Sequence, residues 1–194
     1  KSKLIFINLH IHINLTLFMF PFKTLPILAV GKYTLIPIQK DDFEALYAAA
    51  SDREIWAQHP NKNRYERDVF KIFFEVALKS GGAYKIIDVH SNSVIGSTRL
   101  YDYDPINASI FIGYTFLAKP YWGKGVNPMI KRMLLDFLFK YVHIVYLHIG
   151  AENIRSQISI ERLGAKKIDK ITKAYFGEPE RVNYVYEFRK ENWR

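Results

Sequence analysis

The segment Tyr121-Trp122-Gly123-Lys124-Gly125-Val126-Asn127 limits the architecture more than any other part of this chain. It joins a strand-like run, Ala108 to Leu117, to a helix-like run, Val126 to Tyr141. A glycine turn that opens a helix is suited to holding an anion. Glycine lets the backbone approach closely, the first N–H groups of a helix lack internal partners, and the helix dipole adds partial positive charge there. Lys124 adds a full charge. Gly-x-Gly turns also occur as plain loops, so the rest of the chain has to decide between the two.

A second segment, Asn153-Ile154-Arg155-Ser156 through Leu163-Gly164-Ala165, follows another strand-like run, His143 to Ile149. Together the two segments resemble the GNAT acetyltransferase superfamily, which moves an acetyl group from acetyl-CoA to an amine. The Tyr121–Asn127 turn is similar to that family's pyrophosphate loop, Gln/Arg-x-x-Gly-x-Gly/Ala. Asn153 to Ala165 is similar to its Asn-x-x-Ser…Leu-Gly-Phe/Ala helix, and Ile112-Gly113-Tyr114 matches the branch containing the ribosomal-protein N-terminal acetyltransferases. The resemblance runs from about Lys32 to Phe188. It implies an α+β fold: a single GNAT-like domain with a mixed central β-sheet flanked by helices.

The resemblance also implies residue roles. Phosphate binding falls to the backbone of Trp122, Gly123, Lys124, Gly125 and Val126, with the Lys124 ammonium. Backbone groups of Gly113, Tyr114 and Thr115 would pair with the pantetheine arm and polarise the thioester carbonyl, on a strand that splays from its neighbour; preorganised dipoles of this kind are a large catalytic factor. The Asn153 amide would meet the pantetheine arm and the Ser156 hydroxyl would lie near the sulfur. Each has a structural alternative: Tyr114 as a strand aromatic, and Asn153 as the N-cap of a helix, a role asparagine favours. Arg155 reads as a surface charge rather than a phosphate contact. The chain departs from the family pattern at Pro120, where Gln or Arg is usual, and at Asn127-Pro128. Proline is tolerated in a first helical turn but removes one donor from the anion site.

The base and acid are less visible. An amine with an ordinary lysine pKa of about 10.4 is mostly protonated at neutral pH, so its proton must be removed. Related enzymes often carry Glu just before Ile-Gly-Tyr and Tyr on the last helix; this chain has Phe111 and Ile160. The remaining candidates are His148, Tyr146, Glu152, Asp102 and Asp104. Strand alternation puts Tyr146 and His148 on one face. His148 is a base or a satisfied rim histidine, and a water relay driven by proximity is the other solution.

A chain of 194 residues makes one domain. Its 49% hydrophobic content is too high for disorder. The absence of cysteine excludes nucleophilic thiols, thiolate metal sites and disulfides, and fits a reducing, cytoplasmic setting. A net charge of +9 attracts anions, of which CoA is one. No interleaved basic-aromatic pattern gives a strong nucleic-acid signal. Ile7 to Leu17 alternates apolar and polar residues at a strand period, and is neither a secretory signal nor a membrane-spanning helix. Residues 1–18 read as an extension added upstream of Met19, or as an added edge strand or an oligomer contact, which leaves a homodimer open; residues 19–194 form the domain. His10 and His12 share one face of that strand but lack a third ligand, so no metal site is expected.

Elsewhere the pattern predicts a strand over Lys32 to Ile38, helices over Gln39 to Ser51 and Asn63 to Lys79, a hairpin of Ala83 to Val89 with Val94 to Tyr101, and closing strands near Lys166–Thr172 and Val182–Arg189. Trp56, His59, Tyr65, Tyr175 and Phe176 form an acceptor wall or belong to the core and its rim. Three functions are open to such a chain: an acetyl-CoA-dependent N-acetyltransferase acting on a primary amine (a small molecule or a protein N-terminus), a catalytically weak acyl-CoA sensor, or an RNA- or ribosome-associated module suggested by charge alone.

Overall fold

The computed structural model describes residues 24–174 and 180–194. The alternating segment with His10 and His12, the 1–18 extension, and Tyr175 and Phe176 lie outside the described residues. The strands are β1 Leu28–Val30, β2 Tyr33–Pro37, β3 Ala83–Asp88, β4 Ser93–Asp104, β5 Ser109–Leu117, β6 Ile144–Gly150, β7 Lys166–Lys173 and β8 Arg181–Arg189. They form one sheet in the order β1-β2-β3-β4-β5-β6-β8-β7. Its only parallel pair among the described residues is β5 with β6.

Five helices, α1 Phe43–Ala50, α2 Arg53–Trp56, α3 Arg67–Ser80, α4 Val126–Leu138 and α5 Ile154–Arg162, cover the sheet among the described residues. Helices α1 to α3 close a cluster built on Leu46, Trp56, Phe70 and Phe74, while α4 and α5 close a larger one with Ile130, Leu134 and Ile160. Adjacent strand residues divide between the two clusters, Ala83 from Tyr84 and Phe116 from Leu117. Opposite faces of a strand require that division. The expected α+β architecture with a mixed central sheet is therefore present.

The helical elements before β3 differ from the sequence pattern in three places. The helix expected over Asn63 to Lys79 begins only at Arg67. Turns fill the residues before it, and the Arg64 side chain is buried among Trp56 and Phe73 rather than facing water from a helix. The short helix α2 was not anticipated; the Asp52 side chain caps it by accepting the Glu54 N–H at 2.9 Å. The helix expected from Gln39 opens as a 3-10 turn, Lys40–Asp42, in which Asp42 Oδ2 accepts the Gln39 N–H at 2.7 Å.

Strand β5 is irregular along both of its edges. Pairing with β6 covers only Ser109–Phe111 against Ile144–Tyr146, and beyond it the strands part. On the other edge, the register with β4 shifts between Ser97/Phe116 and Arg99/Gly113, leaving Tyr114 and Thr115 opposite Thr98. This is a β-bulge. Tyr114 there takes a φ of +53°, uncommon for a residue with a side chain.

Candidate active site

Where β5 and β6 part, a cavity of about 910 Å³ opens, bounded by the bulge, the start of α4 and the start of α5. Such a volume falls within the range of small-molecule sites, about 300–1,000 Å³. The strand residues Gly113, Tyr114 and Thr115 line it, with His148 from β6. So do Trp122, Gly123, Gly125 and Val126 from the turn, and Asn153 and Ser156 from α5. Lys124 is absent from this wall: it is exposed at the tip of the turn.

Gly125 is the N-cap of α4, with φ of 73°, and Gly123 has φ of 70°. Both lie in the left-handed region, where an L side chain is strained. Nothing lies within 4 Å of a side-chain carbon placed on either. The turn thus presents backbone, with open space in front, at the positive end of a helix. The turn is fixed from behind: the Trp122 indole N–H donates to the Leu117 carbonyl at 2.8 Å, and the Arg155 guanidinium lies 4.0 Å from the centre of the Trp122 ring. Arg155 also donates to the Ile55 carbonyl at 3.2 Å. It is exposed, lines the cavity, and joins α2, α5 and the turn. A cation–π contact of this type contributes about 0.5–1 kcal/mol at an exposed site.

Helix α5 begins at Asn153, whose side-chain oxygen accepts the Ser156 N–H at 3.2 Å. The capping role is real, and Asn153 still lines the cavity. The buried Gln157 amide holds this end of α5 to β6 by donating to the carbonyls of Gly150 at 3.2 Å and Ala151 at 2.9 Å. Asn127, unusual in the family pattern, donates to Ser159 Oγ at 3.1 Å and so ties α4 to α5. Its Oδ1 is buried on the cavity wall without a hydrogen-bond partner. A buried orphan acceptor is costly unless a donor reaches it.

The remaining candidates separate. His148 faces the cavity with its ring 4.6 Å from that of Phe111. Burial, reinforced by Lys173, pushes its imidazole down to about 4, so it is neutral near pH 7. Tyr146, Asp102 and Asp104 are not on this wall; they line a separate, smaller hollow with Phe111. Glu152 is exposed beside Lys62. Four of the five candidate bases named from the sequence therefore lie off this wall.

The far side of the cavity carries Trp56, His59, Arg64, Tyr101 and Tyr114. Burial, with Arg64 adding to it, holds His59 well below its usual value. Burial lowers Arg64 to about 9 and Arg99 to about 10, so both remain charged at neutral pH. The Arg99 guanidinium lies 4.2 Å from the centre of the Tyr114 ring. Burial raises the Tyr114 hydroxyl, which stays protonated. Tyr65 does not reach the cavity, and the Trp56 indole N–H is held by the Ala50 carbonyl at 2.8 Å. Among the described lining residues there is no aspartate or glutamate. Like Arg64, Lys131 of α4 escaped the sequence reading; it is 3% exposed and lines the same cavity. Its signal was a lysine on the stripe that carries Leu134, Leu135 and Leu138.

The parted strand edge, the open glycine turn and the orphan Asn127 oxygen suit a long polar ligand ending in phosphates. A family model described as the acetyltransferase (GNAT) domain matches residues 32–166. No curated protein matches. Many solved structures share the fold. A GNAT-family acetyltransferase from Bacillus anthracis superposes with a TM-score of 0.70 at 18% identity, covering 86% of this chain and all of its own. A GCN5-related N-acetyltransferase from Brucella melitensis gives 0.76 at 19% identity, covering 87% of this chain and 80% of its own. Spermidine N-acetyltransferase from Vibrio cholerae, in complex with CoA and spermine, gives 0.63 at 18% identity, covering 82% and 96%.

Proposed function

The chain belongs to the GNAT acetyltransferase family, and from that premise we propose that it transfers an acetyl group from acetyl-CoA directly to an amine held on the Tyr114 side of the cavity. The observation that carries this reading is the parting of β5 from β6 beside the Gly123–Gly125 turn. Pairing of β5 with β6 ends at Phe111, and the stretch Gly113 to Thr115 beyond it lines the cavity, where a pantetheine arm would pair with this strand edge and a carbonyl would be polarised. The turn and the start of α4 would hold the pyrophosphate, with Pro128 contributing no donor. Asn153 and Asn127 offer side-chain amides along the path. Acetyl-CoA supplies the activated acyl group; the protein supplies alignment, dipoles and exclusion of water.

The acceptor half is basic and aromatic among the described residues. A polyamine would meet Arg64 and no described lining carboxylate, so an amine without a second positive charge fits this wall better. A protein N-terminus, suggested by the Ile112-Gly113-Tyr114 resemblance, and a small amine or amino acid both meet that condition. No helix among the described residues is long and apolar enough to cross a membrane. Thiol release on mixing the protein with acetyl-CoA and a panel of amines tests the proposal. Tight CoA binding without thiol release for any amine would favour the sensor reading, for which Phe111 and Ile160 are the motive.

His148 serves as a modest contributor. An imidazole held near 4 stays neutral at pH 7, yet it has little affinity for a proton taken from an ammonium. His148→Gln should therefore lower turnover by about tenfold or less, below the hundred- to ten-thousand-fold typical of a true general base. Because the folded value is lowered, no ionisation of His148 should appear near neutral pH. A thousandfold loss, accompanied by disappearance of such an ionisation from the pH–rate profile, would make His148 the base and overturn the water-relay account.

A further inference from the structure

Lys131 occupies a core position of α4, among leucines, yet its amine reaches the cavity. Nζ lies 2.6 Å from Thr115 Oγ1 and 3.5 Å from Thr98 Oγ1, and the two hydroxyls are 2.7 Å apart. These are the residues at the β5 bulge, Thr115 within it and Thr98 opposite. A lysine buried without a carboxylate is costly in a fold that could have placed leucine there. The two threonines orient the amine without neutralising it. The groups on which related enzymes rely are missing, with Phe111 and Ile160 in their places, and His148 is neutral near pH 7.

We propose that Lys131 is the acid of this cavity: its ammonium protonates the sulfur that leaves when the thioester breaks, oriented by the Thr115 and Thr98 hydroxyls. This role rests on the acetyl-transfer reading above. In the step, the acceptor nitrogen forms a bond to the acetyl carbonyl carbon and the carbon–sulfur bond breaks. The sulfur takes a proton from Lys131 Nζ, the acceptor nitrogen gives its proton to water, and neutral Lys131 regains one from water. No redox partner or metal is needed.

Ionisation is consistent with that role. Burial alone lowers Lys131 to about 7, and no charged side chain on β4, β5 or α5 adds to the shift. The other charged or titratable groups named on the cavity wall are His59, Arg64, Tyr101, Tyr114, Tyr121, Arg132, His148, Arg155 and Arg162. An acid is most effective when its pKa lies near the working pH. The protonated form is the active one, so the rate should fall as pH rises through the Lys131 ionisation.

The test pairs Lys131→Met with Thr115→Val, each near in volume to what it replaces. The full chain labelled with ¹³C-lysine should show one side-chain resonance titrating close to neutrality, absent from Lys131→Met and displaced when CoA is added. Lys131→Met should lose about a hundredfold in kcat, with little change in KM for acetyl-CoA, and the alkaline limb of the pH–rate profile should vanish. Thr115→Val should keep the limb but move its midpoint. This second variant, with the resonance of the unaltered protein, decides the matter if Lys131→Met does not fold. Unchanged turnover and pH profile in a folded Lys131→Met would overturn the assignment, as would a lysine resonance titrating only at high pH. Acetylated Lys131 in peptide mass spectra would overturn it too, by showing a nucleophile in place of an acid. Turnover by the unaltered protein together with any of these sinks the role of Lys131 alone; absence of thiol release from the unaltered protein with every amine sinks the acetyl-transfer reading and this role with it.

Discussion

Replacing Gly123 and Gly125 together with valine should weaken CoA binding by about a hundredfold, from strain of ~1–2 kcal/mol at each left-handed residue and ~1.4 kcal/mol per tenfold. The φ values of 70° and 73° place both residues where a side chain clashes with its own carbonyl, and a β-branched side chain is worse than most. Because no atom lies within 4 Å of either added carbon, the penalty is conformational and not a collision with neighbours. The turn would relax to negative φ and carry its N–H groups away from the start of α4. Any bulk that remained would stand in the open space where the pyrophosphate is expected. Lys124→Ala is the contrasting change. Lys124 is exposed and off the cavity wall, so its contribution is that of a screened surface charge, about 0–1 kcal/mol. Calorimetry on both variants separates backbone from charge. Unchanged CoA affinity in the double valine variant would remove the turn from the binding site.

The fold was legible in the sequence where local chemistry and packing agree. The turn at Gly123–Gly125 opens a helix at Val126, and Asn153 caps another, because glycine at positive φ and asparagine at an N-cap are decided within a few residues. The site was less legible where distant elements meet. The family resemblance implied that β5 splays from its neighbour, but no residue encodes locally that the pairing with β6 ends at Phe111. Without that end point Tyr146, Asp102 and Asp104 stayed candidates beside His148, although they line another hollow. Arg64 was hidden for a related reason: the pattern put it inside a helix over Asn63 to Lys79, whereas it lies in the turns before α3 with aromatic rings packed against it. Lys131 was readable in principle, since a charge on an apolar stripe breaks the pattern, but only the cavity behind the stripe gives that break a meaning.

On the C-terminal side of the Tyr114 bulge, β4 and β5 approach closely at Gly96. A side-chain carbon on Gly96 would stand 2.1 Å from the Phe116 carbonyl oxygen and 3.0 Å from a Leu117 methyl. The first of these is backbone and cannot rotate away. Gly96→Ala would therefore force β4 from β5 across Gly96–Leu117 and Ser97–Phe116, straining the nearby bond from the Ala118 N–H to the Ile95 carbonyl, now 2.8 Å. Overpacking that moves backbone costs about 3 kcal/mol at the upper end of its usual range. In a chain of this size that corresponds to a fall in melting temperature of roughly 6–12 °C. Function should suffer as well, because Phe116 and Leu117 anchor both clusters and Leu117 accepts the Trp122 indole bond that fixes the turn. CoA affinity measured well below the new melting temperature should fall even though Gly96 is not on the cavity wall. A Gly96→Ala protein with unaltered melting temperature would mean that β4 and β5 can separate at no cost, and the bulge could not then be the rigid support on which carbonyl polarisation depends.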